Sequence, residues 1–138
     1  MQYSYELTVG VGHTFADPLI FPVKLASGIV REMLTVFETG DGYSSCVTLW
    51  DASKQLVPAN SDGWLTGDGL MYVSPLHYDL DENGNTLYIV AWNRGGVYDH
   101  SVNVLITVSD PEDLSQSQLT QLMIDTINRL IDLCKRLI

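Results

Sequence analysis

The chain has 138 residues and a mass of 15.3 kDa, 46% hydrophobic against 17% charged, which suits one packed domain with an appendage and argues against disorder. Its 17 acidic residues outnumber 7 basic ones for a formal charge of −10. That balance excludes a broad surface for nucleic acid or anionic membrane, because phosphate binding needs clustered Lys and Arg. Up to Ser109 the only bases are Lys24, Arg31, Lys54 and Arg94, so no basic patch can be built there.

The start, Met1-Gln2-Tyr3-Ser4-Tyr5-Glu6, has neither the basic opening nor the apolar stretch of a signal peptide. No 18 apolar residues run together, so a soluble chain with no export signal is expected. Tyr3, Tyr5, Leu7, Val9 and Val11 alternate with polar or small residues, the pattern of a strand with one buried face. Further strand runs are predicted at Leu19–Leu25, Ile29–Phe37, Cys46–Trp50, Leu70–Val73, Leu76–Leu80, Thr86–Trp92 and Val102–Val108. Pro22 cannot donate to a ladder, which places the second run at a sheet edge. Turn pairs separate the runs: Asp17-Pro18, Ser27-Gly28, Gly40-Asp41-Gly42, Asp62-Gly63, Asp68-Gly69, Asn83-Gly84 and Gly95-Gly96. Short strands with no intervening helix predict a mainly β domain over residues 1–109. The expected fold is an antiparallel β-sandwich of about eight strands, jelly-roll or Ig-like.

From residue 110 to 138 the period changes to that of one amphipathic α-helix. Ser109 and Asp110 can cap it, Pro111 suits its first turn, and Lys135 and Arg136 suit its last. Leu119, Met123, Ile127, Leu130, Cys134 and Leu137 form its central seam, spaced 4, 3, 4, 3 from Met123 onward. Leu122, Ile124, Ile131, Leu133 and Ile138 widen the apolar arc to roughly 200°, about twice what an ordinary surface helix uses. Gln118, Gln121, Asp125, Asn128, Asp132 and Lys135 keep the opposite stripe polar, so the helix is not a membrane span. The chain is therefore expected to self-associate through these residues as a trimer or dimer, with the helix also packing on the β domain. The competing arrangement is a monomer whose helix folds back over its own sheet.

Candidate sites are few. Asp79-Leu80-Asp81-Glu82-Asn83-Gly84-Asn85 matches the first half of a calcium loop, but Val90 stands where the closing Glu belongs, so a tight hairpin is expected instead. His13, His77 and His100 lie far apart in sequence, and Asp99-His100 predicts a loop-fixing hydrogen bond. Cys46 and Cys134 read as buried apolar residues. No nucleophile elbow, Cys-His pair or phosphate loop is present, so no catalytic, cofactor or metal residues are assigned and an enzyme is not expected. Trp50 and Trp92 read as packing residues, whereas Trp64, in a polar loop, is the one ring placed for ligand contact, with a plug over the sandwich end as the alternative.

The stretches Val47-Thr48-Leu49-Trp50-Asp51-Ala52-Ser53-Lys54-Gln55-Leu56, Asn60-Ser61-Asp62-Gly63 and Gly84-Asn85-Thr86-Leu87-Tyr88-Ile89-Val90 resemble, in their order, the jelly-roll modules appended to secreted bacterial peptidases. The Pro58–Trp64 loop, the Tyr98-Asp99-His100 strand entry, the small acidic sandwich and the associating helix together are similar to accessory virion proteins of tailed bacteriophages. That resemblance implies capsid decoration or fibre attachment, in a virion and with other virion proteins as partners; no family site residue is carried over by it. The expected function is thus structural and non-enzymatic. A carbohydrate- or ligand-binding module using Trp64 is the alternative.

Overall fold

The computed structural model describes residues 1–81, 85–109 and 111–137, and the side chains of residues 111–119 lie outside that description. The opening alternation folds as β1 (Gln2–Val9), followed by β2 (Leu19–Leu25), β3 (Ile29–Phe37), β4 (Ser45–Asp51), β5 (Lys54–Val57), β6 (Met71–Asp79), β7 (Asn85–Asn93), β8 (His100–Ser109) and the helix α1 (Pro111–Leu137). Two four-stranded sheets form, ordered β1-β8-β3-β6 and β2-β7-β4-β5. All pairings are antiparallel, and β1 pairs with β8, β2 with β7, β3 with β6 and β4 with β5. A long hairpin rolled around a barrel axis produces that nesting, which is the jelly-roll topology.

The core lies between the sheets, where alternate residues of each strand meet: Leu7 and Val9, Val23, Met33 and Phe37, Leu49, Leu87 and Ile89, Val104 and Ile106. β2 is an edge strand, and Pro22 sits in it as its missing donor requires.

Two strand assignments change. Lys54–Val57, not among the strand runs expected from sequence, is β5. The two-residue connection Ala52-Ser53 that turns β4 into it holds Ala52 at φ 49°, with none of the Gly or Asn that ordinarily marks such a turn. Conversely, Leu70–Val73 and Leu76–Leu80 belong to one continuous strand, β6. Ser74-Pro75 does not interrupt it because β6 is at a sheet edge, and Pro75 stands opposite Glu32 at the register shift that follows Val30, where β6 carries the extra residue.

Strand alternation places the loops joining β1 to β2, β3 to β4, β5 to β6 and β7 to β8 at one end of the sandwich. These loops are tied to each other: Val11 N–H donates to Asp99 Oδ1 at 2.9 Å, Gly40 N–H to Asp68 Oδ1 at 2.7 Å, and the Arg94 guanidinium to the Tyr43 carbonyl at 2.9 Å. The other end holds the short turns, the chain start and the exit into α1. There the Met1 ammonium donates to the Val108 carbonyl at 2.9 Å. Gly28, at φ 146°, passes so close to β8 that a Cβ would lie 2.4 Å from the Ser109 carbonyl oxygen, so only glycine fits beside the strand that leads into the helix.

Candidate functional site

From Thr120 to Leu137 every residue of α1 is exposed. The expected packing of the helix on the β domain does not occur along this stretch. Met123, Ile127, Leu130 and Leu137 are large exposed hydrophobics, Leu137 at 81%, and Cys134 is exposed rather than buried; Leu119 has no described side chain. Thr126, which falls inside the apolar arc, turns its hydroxyl back onto the Leu122 carbonyl at 2.8 Å and so loses much of its polarity. Gln121 and Asp125 bond to each other on the polar stripe at 3.3 Å.

A second feature occupies the outer face of the β2-β7-β4-β5 sheet. Val47 and Leu49 of β4 point into the core, so Cys46, Thr48 and Trp50 point outward, beside Trp92, Val90 and Tyr88 of β7 in register. Trp50 and Trp92 thus pack, as expected, but outside the inter-sheet core. The Thr48 hydroxyl donates to the Val90 carbonyl at 3.0 Å and accepts from Trp50 Nε1 at 2.8 Å, which fixes the indole on the sheet. Trp92 is 7% exposed and forms a floor. Against it lean Phe15 from the β1–β2 loop, with ring centroids 5.2 Å apart, and Trp64 from the β5–β6 loop, 5.7 Å apart, both T-shaped. Phe15 is 73% exposed and Trp64 39%.

The Trp64 loop is held in place from below. Leu65 exchanges two backbone hydrogen bonds with Val47, each 2.9 Å, and Gln55 Nε2 donates to the carbonyls of Pro58, Asn60 and Gly63 at 2.9–3.1 Å. A cavity of about 350 Å³ opens between Trp50, Trp64 and Phe15, with Gln55, Ser61 and Asp62 on its wall. A second cavity of about 430 Å³, beside Asn93 and Arg94, shares Phe15, Trp64 and Trp92 with it. The sequence had singled out Trp64 alone. Trp50 and Trp92 read there as packing residues only, because strand alternation shows that a ring faces outward only once the core face is known, and Phe15 lies in a loop, where no strand pattern marks it.

The remaining candidates fall apart in space. Among the described residues no group of three His, Cys, Asp or Glu side chains could hold a metal ion. Of the calcium-like segment only residues 79–81 and 85 are described, and the Asn83-Gly84 turn and the cap at Asp110 lie outside the described residues. Ser109 Oγ instead accepts from Arg31 Nε at 2.8 Å. His77 lies on β6 against Arg31 and Asp79, at 3.0 and 3.6 Å. Nearly buried His100 pairs through Nδ1 with Glu38 at 3.0 Å, not with Asp99 as the sequence suggested, because Asp99 is taken by the Val11 amide. Asp68-Gly69 is a turn as expected, with Gly69 at φ 61°.

Under the loop end lies a buried polar pair. Asp41, 1% exposed, accepts from the Ser45 amide through Oδ1 at 2.8 Å, while its Oδ2 and the Ser45 hydroxyl are buried without a protein hydrogen bond. Next to them, burial pushes the Cys46 thiol up to about 11; Asp41 adds to the rise, and Arg94 and the Thr66 hydroxyl oppose it. No known protein-family model matches this chain, and no curated protein matches it significantly.

Proposed function

We propose that the protein is a non-enzymatic structural subunit that self-associates through α1 and displays its jelly-roll domain away from the point of assembly, in the manner of a capsid-decoration or fibre-attachment protein. The observation that carries this reading is the fully exposed apolar arc of α1 from Thr120 to Leu137. Written as heptads, Ile127 and Cys134 take a positions and Met123, Leu130 and Leu137 take d positions, while Ile124, Ile131 and Leu133 make the flanking e and g positions apolar as well. Those flanks favour a trimer over a dimer, since a second helix covers the a/d seam and leaves most of e and g in water.

Charge does not oppose the contact. Asp125 and Asp132 share the outer stripe with Arg129, Lys135 and Arg136, whereas most of the acidity lies in the β domain and keeps the assembly soluble. At about 25 cal/mol per Å² of apolar surface, the area one helix buries exceeds the cost of association only when several copies contribute. That makes assembly cooperative. The jelly roll's loop end then faces outward, opposite the exit into the helix. No described helix is long and apolar enough to cross a membrane.

Light scattering on the full chain tests the reading. At micromolar concentration the expected mass is two or three times the monomer's, falling to the monomer's in Ile127→Asp/Leu130→Asp, a pair whose side chains touch no core residue. Mild oxidation should link copies through Cys134, which a parallel bundle stacks in one layer within disulfide reach. A monomer in light scattering, together with no Cys134 cross-link, sinks the proposal.

A further inference from the structure

We infer that the aromatic cleft on the outer face of the β2-β7-β4-β5 sheet is a binding site for a neutral oligosaccharide, laid along β4 and β7 from Trp50 to Trp92. The site is independent of assembly, because α1 leaves from the opposite end of the sandwich.

Four observations lead there. The rings are in place before any ligand arrives: Trp50 is fixed through Thr48 and the Trp64 loop through Gln55, so little ordering cost remains to be met on binding. Apolar ring surface that a sandwich of this size would ordinarily cover is left open at Phe15 and Trp64, and the flat, weakly polar C–H face of a sugar matches it. The wall opposite is made of oxygen-bearing groups, Ser61, Asp62 and Gln55, which suit hydroxyl donors. Finally, register puts Trp92 opposite Cys46, four residues along β4 from Trp50, a separation of about 13 Å, longer than a single sugar ring.

The charge distribution selects among ligand classes. Among the described residues, Asp62 faces the cleft on the Trp50 side and Arg94 beyond Trp92; the two cancel, and the chain's net charge of −10 disfavours an anion. A quaternary cation requires ring faces arranged as a box. Here Phe15 and Trp64 each meet Trp92 edge to face, and Trp50 lies four residues along β4 from the position opposite Trp92, so the ring surface is spread along the cleft. Ring surface spread along a cleft flanked by oxygens fits a linear, uncharged, hydroxyl-rich chain.

The chain's three tryptophans, Trp50, Trp64 and Trp92, all line this cleft, so intrinsic tryptophan emission reports on it alone. The full-length protein is titrated with cellotetraose, maltotetraose, mannotetraose and chitotetraose, with the matching monosaccharides, and with choline chloride. The expected result is a saturable emission change with at least one tetrasaccharide. Binding should weaken at least about tenfold for its monosaccharide and in Trp64→Ala, as truncation of a central aromatic contact does. Asp62→Ala, on an exposed loop residue, provides a second variant should Trp64→Ala fail to fold, and it too weakens binding. Silence from every saccharide at about 10 mM, which corresponds to the weakest useful affinity, overturns the inference. So does a response unchanged in both variants, or saturation by choline alone, which would make the cleft a cation site.

Discussion

The sandwich and the helix handle apolar surface in opposite ways. In the β domain period-two alternation sends Leu7, Val23, Met33, Leu49, Ile89 and Ile106 into one shared interior, and each sheet supplies the other's cover. In α1 a comparable density of Leu, Ile and Met lies on an arc that nothing in the same chain covers between Thr120 and Leu137. The contrast teaches that apolar content does not by itself say where a residue is buried. Pattern says which face is apolar, and topology decides whether this chain or another one meets it.

The widest separation between the two regions should appear on truncating one large side chain in each. Phe37 is 1% exposed and packs edge-on against Tyr72, with centroids 5.9 Å apart. Phe37→Ala removes that contact and leaves a cavity, at an expected cost of about 3–5 kcal/mol in urea denaturation. Leu130→Ala, made on a side chain equally apolar but in water, should leave the melt of dilute protein unchanged within about 0.5 kcal/mol, while lowering the mass seen by light scattering. Equal destabilisation by the two variants would mean that the helix does rest on the sandwich, and the comparison would collapse.

A smaller effect is expected within the sandwich, at its loop end. Asp41 carries the β3–β4 loop: its carboxylate takes the Ser45 amide and its carbonyl takes the Ser44 amide at 3.1 Å. Asp41→Ala strands a buried amide, a loss of about 1–3 kcal/mol. Asp41→Asn keeps the acceptor and should recover most of it. If the Asn variant is as unstable as the Ala variant, the buried charge matters and not the hydrogen bond.

How much of this could be read from the chain differs between the regions for physical reasons. Alternation marked β1, β2 and β3 closely, and the change to helical period at Pro111 marked α1, because one-sided burial writes its period directly into composition. β5 escaped because Ala52 adopts a left-handed turn without the residue that usually announces it, and β6 was divided because a proline at an edge costs no ladder bond. The cleft was legible only at Trp64. Trp50 and Trp92 sit in strands whose both faces are largely covered, and in such strands alternation no longer separates core from outer face. His100 was assigned to its sequence neighbour, whereas its partner Glu38 comes from a loop 62 residues away, a juxtaposition that only the rolled topology makes.

The two cysteines offer the finest form of the comparison, one in each region. Cys46 is buried and its thiol is raised from about 9 to about 11, chiefly by burial, while Cys134 stands exposed on the helix seam. A thiol reagent at pH 8 should therefore modify one cysteine per native chain, and assembly should slow even that reaction. The raised value also has a stability consequence. The folded state keeps its proton where the unfolded chain has lost it, so the folded chain binds more protons between pH 9 and 11, and stability falls as pH rises through that window. Tyr5, whose phenol is lifted by burial and further by Tyr3, bends the curve in the same direction, which is why the slope must be read against Cys46→Ala. Denaturation midpoints followed from pH 8 to pH 11 should decline more steeply in the native chain than in that variant. Parallel curves would show that the thiol titrates alike in both states, and that the outer face of β4 is open to water where Cys46 sits.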